Sequence, residues 1–108
     1  MNKWKDVKLG GVSKIDRLAA EFDVWSIEKL PYAKFKVKIF EDISGKYTGY
    51  TDVRIKDPAT GCPEGAVGWG ETVAEALENT VKYFMNEIEK RGGVLTEDDI
   101  EYVEPSDF

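Results

Sequence analysis

Few side chains in this sequence could do acid–base or metal chemistry. The chain contains no histidine and a single cysteine, Cys62. Without imidazole, His-based triads and Cys/His dyads cannot form, and one cysteine cannot build a zinc site. Carboxylates, lysines and tyrosines remain as acid–base groups, but no D-x-D, H-E-x-x-H or G-x-S-x-G pattern occurs. We therefore predict a protein that is not an enzyme and that uses no cofactor or metal.

Acidic side chains are concentrated near the end of the sequence, where residues 97–107 include no Lys or Arg. Such a cluster can meet a basic surface on another protein, and electrostatic steering speeds that encounter. The alternative is that these carboxylates only keep a frayed chain end soluble. The predicted partner-binding residues are Glu97, Asp98, Asp99, Glu101 and Glu104, with Asp107 as a further member of the cluster.

Basic side chains belong mainly to the first half of the sequence. Residues 1–56 carry 12 Lys and Arg against 8 Asp and Glu, whereas residues 57–108 carry 3 against 13. Several of the basic residues alternate along predicted strands, so one sheet face could bind nucleic acid while a tyrosine stacks on a base. The alternative is an ordinary solvated face. The candidate nucleic-acid-binding residues are Lys34, Lys36, Lys38, Tyr50, Arg54 and Lys56.

A glycine-rich stretch, GCPEGAVGWGET at residues 61–72, is the other candidate site. A P-loop needs Lys-Ser/Thr after its glycines, and a dinucleotide-binding loop needs a third glycine after Gly68-x-Gly70; both are missing. Glu71 and Glu75 also place negative charge where a phosphate would bind. We therefore predict that these glycines let the chain turn tightly from a strand into a helix that folds back on the sheet.

A period of two in the hydrophobic pattern indicates the strands that would position these residues. The alternation begins at Ala33 and, after the turn EDISGK, resumes in residues 46–56, which predicts a hairpin. DPATG and CPEG each have a proline followed by a glycine, typical of turns, and a third strand is predicted over residues 65–69. The predicted inward-facing residues are Phe35, Val37, Ile39, Val53 and Ile55.

Two helices are predicted to flank the strands. The first is SKIDRLAAEF at residues 13–22, in which Ile15, Leu18, Ala19 and Phe22 share one face. The second begins at Thr72, which forms a T-x-x-E capping box with Glu75, and ends near Gly92. Residues 72–91 would span roughly 30 Å, enough to cover three strands. Its predicted buried residues are Val73, Leu77, Val81, Phe84 and Ile88.

The remaining sequence adds a capped turn at Thr96, which is predicted to dock through Ile100 or Tyr102. Together the elements predict an α+β fold of order α-β-β-β-α, in which a three-stranded antiparallel sheet carries the long helix on one face. A length of 108 residues suits a single domain, and residues 1–12 and 103–108 are predicted to be poorly ordered. An exposed edge on the third strand would allow a homodimer.

The cellular location is predicted from what the sequence lacks. There is no run of about 18 apolar residues, and MNKWKDVKLGG has no apolar leader segment. A single cysteine excludes an internal disulfide and suits a reducing compartment. We therefore predict a cytoplasmic protein without membrane association.

One set of residues resembles a known family, the N-terminal domain of HicB-type antitoxins. The resemblance covers roughly residues 33–90 and implies a three-stranded sheet that leads through a glycine and a threonine cap into a helix. It also implies a small bacterial or phage regulatory protein that binds or inhibits a partner protein. The matching residues are Gly61, Cys62, Gly70, Thr72, Glu75, Ala76, Leu77 and Asn79.

The predicted α-β-β-β-α order also resembles the double-stranded RNA-binding domain. The second helix of that family opens with paired lysines that contact phosphates. In this sequence the corresponding residues include Glu71 and Glu75. Acidic side chains at this helix start argue against RNA binding in that family's manner, so protein binding is the first functional hypothesis and nucleic-acid binding the alternative.

Overall fold

Five strands and one long helix form the part of the protein that the computed structural model describes, namely residues 4–26, 28–30, 34–57, 59–104 and 108. Ala33, at which we predicted that the first strand begins, lies outside these residues, as do residues 1–3 and 105–107 of the two ends. The strands are β1 (Arg17–Trp25), β2 (Lys34–Glu41), β3 (Tyr47–Lys56), β4 (Pro63–Gly70) and β5 (Ile100–Tyr102), and the helix is α1 (Val73–Lys90).

The strands form one antiparallel sheet in which β1, β2, β3 and β4 are neighbours in that order. Strand β4 pairs with one side of β3, and the other side is shared by two strands. Tyr47–Thr51 pair with β2, and Val53–Ile55 pair with β5. The α+β class is therefore confirmed, but the described sheet has five strands where three were predicted.

The first predicted helix is wrong, because residues 17–25 form strand β1 and residues 12–16 have no regular structure. Ala20, Phe22 and Val24 alternate along β1 and pack against the core from the same side. Leu18, predicted to share a helical face with Phe22, instead points to the other side of the sheet and is exposed. The order is therefore β-β-β-β-α-β.

The turn between β2 and β3 is built around Asp42. Its Oδ1 accepts hydrogen bonds from the amides of Ser44 (2.9 Å) and Lys46 (3.0 Å) and from the Ser44 hydroxyl. These bonds, the one from the Ser44 hydroxyl foremost, lower the pKa of the Asp42 carboxyl. Gly45 has φ 86°, a conformation that glycine adopts without steric cost. The reversal predicted at EDISGK is present.

Helix α1 begins where the sequence predicted. The Thr72 hydroxyl accepts a hydrogen bond from the Glu75 amide (3.1 Å), and the Glu75 carboxylate accepts one from the Glu71 amide (3.0 Å). Phe84 and Ile88 are fully buried, as predicted. The other fully buried residues of α1 are Ala76 and Thr80. Val73, Leu77 and Val81, which were predicted to be buried, are only half-buried.

The helix lies unusually close to β3 and β4 because glycines face it. A Cβ on Gly70 would come within 2.6 Å of the Ala76 amide nitrogen, and one on Gly49 or Gly68 would overlap Thr80. The Thr80 hydroxyl is buried but donates to the Ala76 carbonyl oxygen (2.7 Å). The glycine-rich stretch therefore brings helix and sheet together, as the sequence predicted. Farther along, Phe84 packs on Phe35 with ring centres 4.6 Å apart.

Candidate functional site

The face of the sheet opposite α1, here called the open face, carries the candidate site. Strands β2 and β3 place their apolar residues toward the helix, so alternate residues point outward. At one end of the open face, near the β2–β3 turn, the outward residues are mostly aromatic or aliphatic. At the other end they are mostly charged. The two ends therefore differ in the chemistry that they offer.

The aromatic end is a continuous surface that we call the open-face patch. Leu18 of β1 is paired with Phe40 of β2, and Tyr50 of β3 is paired with Val67 of β4. The Phe40 and Tyr50 rings meet edge to face with centroids 5.9 Å apart. Trp69 is 63% exposed, Leu18 48% and Tyr50 41%. The patch consists of Leu18, Phe40, Tyr50, Val67 and Trp69 and crosses all four main strands.

A hollow of about 700 Å³ lies over the part of this patch formed by β2, β3 and β4. Arg54 and Phe108 line it beside the aromatic residues. The Lys38 ammonium lies 4.7 Å from the Phe108 ring centre and donates to the Phe108 carbonyl oxygen (3.2 Å). The patch is therefore a shallow, partly concave surface with cationic side chains at its border.

The predicted basic stripe on β2 lies beside acidic residues of β1. In the strand register, Glu21 is opposite Lys38 and Asp23 is opposite Lys36. The Lys36 ammonium is 3.2 Å from the Glu21 carboxylate and 3.7 Å from that of Asp23. The hydrogen bond to Glu21, followed by the charge of Asp23, raises the pKa of Lys36. These carboxylates offset much of the positive charge that β2 presents.

The other predicted nucleic-acid-binding residues lie on the same face. The Lys34 ammonium is 5.2 Å from the ring centre of Trp25, a cation–π distance. Tyr50 and Arg54 are exposed and Lys56 is half-buried. Arg54 is opposite Glu101 of β5 in the strand register. The six predicted residues thus share one face, but acidic residues lie among them.

Asp52 is the acidic residue most deeply placed on the open face. Its Oδ1 accepts a hydrogen bond from the Lys36 amide (2.8 Å) at the point where β2 separates from β3. Burial raises the pKa of the Asp52 carboxyl, and the hydrogen bond from Lys36 opposes that shift only in part. The Asp52 side chain therefore links β2 to β3 where their pairing ends, at the cost of a partly desolvated charge.

The structure divides the predicted acidic cluster. Glu97, Asp98 and Asp99 form a 3-10 turn, and the Asp99 carboxylate accepts hydrogen bonds from the Thr96 amide and hydroxyl, both 2.9 Å. Those two bonds lower the pKa of Asp99. Glu101 lies on β5, and Glu104 is exposed just beyond that strand; Asp107 lies outside the described residues. Asp99 therefore has a structural role as a cap.

A second, smaller crevice of about 240 Å³ lies between β4 and the last turns of α1. Ala66 and Phe84 form its floor, while Tyr83 and Glu87 stand at its rim with Lys90. Among the described residues, no three His, Cys, Asp or Glu side chains lie close enough together to hold a metal ion. No described helix is long and apolar enough to cross a bilayer.

Sequence reasoning found Tyr50 but missed the rest of the open-face patch. Phe40 continues the outward alternation of Lys34, Lys36 and Lys38, so the period of two predicts that it lies on the same face as these lysines. Val67 and Trp69 are two residues apart on the predicted third strand, which places them on one face. Leu18 could not be assigned, because its segment was predicted to be helical.

Comparison of the chain with protein-family models, with curated proteins and with solved structures gives no match.

Proposed function

We propose that this protein is a small non-enzymatic interaction protein that binds a partner protein through the open-face patch. One observation carries the proposal: Leu18, Tyr50 and Trp69 are each more than two-fifths exposed and belong to one continuous apolar surface. Contiguous apolar surface of this kind is costly to leave in water, and it marks interaction sites in folded proteins.

The composition of the patch supports binding of a protein. Tyrosine, tryptophan and arginine are the residues that most often dominate protein–protein affinity, and here Tyr50 and Trp69 lie beside Arg54. The side chains project from paired strands, so little backbone entropy would be lost when a partner binds. The patch thus has the chemistry and the rigidity of a binding surface.

The patch is a better candidate than the acidic cluster, because Asp99 has a structural partner in Thr96. Glu101 and Glu104 would then border the interface and steer a basic partner toward it. A regulatory or inhibitory role in the cytoplasm, of the kind implied by the resemblance to HicB-type antitoxins, accords with this proposal and remains a prediction.

The test is affinity purification from a lysate with matched variants. The double variant L18S/Y50S removes the exposed apolar groups of β1 and β3, and E78S/K82S is the control because this exposed ion pair lies on α1. We expect the proteins captured by wild type to be retained by the control and lost from L18S/Y50S. Equal capture by a folded L18S/Y50S variant would contradict the proposal.

A second candidate, binding of single-stranded nucleic acid on the same face, is favoured by the outward rings of Phe40, Tyr50 and Trp69 beside Arg54. The carboxylates of Glu21 and Asp23 beside Lys36 weigh against it. Titration of a labelled single-stranded RNA at low and high salt distinguishes the two candidates. Binding that falls steeply with salt would favour nucleic acid, and no binding at low salt would remove this candidate.

A further inference from the structure

Strand β4 leaves one row of backbone groups available for pairing. Within the described sheet β4 pairs only with β3. The Ala66 amide points toward β3, where it donates to the Thr51 hydroxyl (3.1 Å). Its neighbours Gly65 and Val67 therefore direct their N–H and C=O groups away from the sheet. The Trp69 carbonyl also points outward, since it accepts from the Asn79 side chain of α1 (2.6 Å).

The charge pattern distinguishes this edge from the other edge of the sheet. Strand β1 carries Glu21 and Asp23 on the open face, so an antiparallel pairing of β1 with its own copy, centred on these residues, would oppose carboxylates. Strand β4, PEGAVGWG, has Glu64 as its one charged residue, and that residue lies on the helix side. Pairing two copies of β4 about Val67 therefore opposes no two charged residues within the paired strands.

We propose that a second copy of this chain pairs with β4, antiparallel and about a twofold axis at Val67. In this register the side chains of both copies stay on the face of the sheet that they occupy in the monomer. Two residues that are opposite each other in paired strands point to the same side of the sheet. It places Val67 against Val67 of the second copy, and Gly65 against Trp69 of the second copy. The inference stands independently of the proposed partner binding.

This register gives hydrogen-bond partners to the N–H and C=O groups of β4 that point away from β3. Val67 exchanges two hydrogen bonds with its copy, and Gly65 exchanges two with Trp69 of the second copy. The Trp69 carbonyl can take part although Asn79 already donates to it, since a carbonyl oxygen has two lone pairs. Each Trp69 ring then lies over a glycine that has no side chain of its own, an arrangement that stabilises sheets.

The pairing also joins the apolar surfaces of the two copies. Val67 and Trp69 stand at the β4 border of the open-face patch, so the two patches become one surface across the axis. On the helix side, Tyr83 is 44% exposed above the crevice beside Ala66 and faces the same edge. A free strand edge that has apolar side chains on both faces of the sheet can form a symmetric interface with the same edge of a second copy.

Light scattering or sedimentation equilibrium tests the inference directly. We expect wild type to have twice the 12.2 kDa mass of the chain. V67P removes the outward N–H without loss of a bond inside the monomer, so it is expected to have the mass of one chain and an unchanged circular dichroism spectrum. V67T keeps the N–H and is expected to remain a dimer. A wild-type mass of one chain at every concentration overturns the proposal, as does a dimeric V67P.

Cross-linking keeps the inference testable if V67P does not fold. In a C62S background, V67C places two thiols opposite each other at a separation that a disulfide can span, whereas D23C places a thiol on the β1 edge. We expect mild oxidation to cross-link V67C rapidly and D23C slowly. Equal rates, or faster cross-linking of D23C, would overturn the proposal. L18S/Y50S leaves β4 intact, so a failed partner-binding test and a failed dimer test are distinguishable.

Discussion

The α carbon of Gly68 lies directly against the backbone of Thr80, so that at this point helix α1 packs on β4 with no side chain between them. A Cβ at Gly68 would overlap the Thr80 amide nitrogen and come within 2.7 Å of the Asn79 carbonyl carbon. Because both obstacles are backbone atoms, rotation of a side chain cannot relieve the overlap. The position of the helix therefore depends on this glycine.

We expect Gly68→Ala to lower the free energy of unfolding by roughly 3 kcal/mol, since the helix must shift to admit the methyl group. Gly10→Ala is the control: a Cβ there would meet no atom within 4 Å, and its effect should stay within about 0.5 kcal/mol. Urea denaturation of both variants measures the difference. Equal stabilities would show that the close packing of helix and strand is not required.

A bulge in β3 depends on the hydroxyl of Thr51. Tyr50 is opposite Val67 and Arg54 opposite Gly65, so three residues of β3 face Ala66 alone. The buried Thr51 hydroxyl fills the gap: it accepts from the Ala66 amide (3.1 Å) and donates to the Val53 carbonyl oxygen (2.9 Å). One side chain thus satisfies two backbone groups that the bulge separates.

We expect Thr51→Val, which keeps the shape but not the hydroxyl, to cost about 2 kcal/mol because it leaves a buried amide and a buried carbonyl without partners. Thr48→Val is the matched control on the same strand, since Thr48 is only half-buried. Its expected effect is within about 0.5 kcal/mol. Thermal unfolding followed by circular dichroism compares the two, and an unchanged midpoint for Thr51→Val would contradict this account of the bulge.

Asp52 should make stability depend on pH. Burial raises its folded-state pKa above the unfolded value, so the folded protein holds the proton more tightly. The resulting stabilisation is fully present below the unfolded pKa and is lost as pH rises through the folded pKa. Asp52→Asn keeps an acceptor for the Lys36 amide and avoids the charge, so we expect it to be more stable than wild type at neutral pH.

The measurement is urea denaturation of wild type and Asp52→Asn at about pH 7 and about pH 3. The gain from the substitution should disappear at the lower pH, where wild-type Asp52 is protonated in both states. Two results would show that desolvation of this carboxyl does not govern the pH dependence of stability. Either Asp52→Asn is less stable than wild type at neutral pH, or the substitution stabilises the protein equally at both pH values.

The parts of the fold that were predictable are those in which local signals and burial agree. Strand β2 alternates cleanly because one of its faces is fully buried, and α1 begins at a capping box that needs only neighbouring residues. Strand β1 was mistaken for a helix because an edge strand is only half-buried, which weakens its period of two. Its Leu18 and Phe22 happen to have helical spacing.

The wrong helical assignment of residues 17–25 also concealed the mixed charge of the open face. With residues 17–25 treated as a helix, nothing indicated that Glu21 and Asp23 would lie beside Lys38 and Lys36, so the basic stripe looked unopposed. The pairing of β5 with β3 could not be predicted from local sequence patterns either, because it joins residues far apart in the sequence. Ile100 and Tyr102 nevertheless dock, as their apolar character predicted.

Among the described strands, one pair is not consecutive in the sequence, β5 with β3, and this pairing bears on how the chain folds. Strands β1 to β4 each pair with the next strand in the sequence, so their hairpins close short loops and need little entropy loss before contacts form. Strand β5 must instead close a loop that contains β4 and α1. Long-range closures of this kind slow folding. The hydrogen bonds of β5 are therefore expected to gain protection from exchange last when the protein refolds.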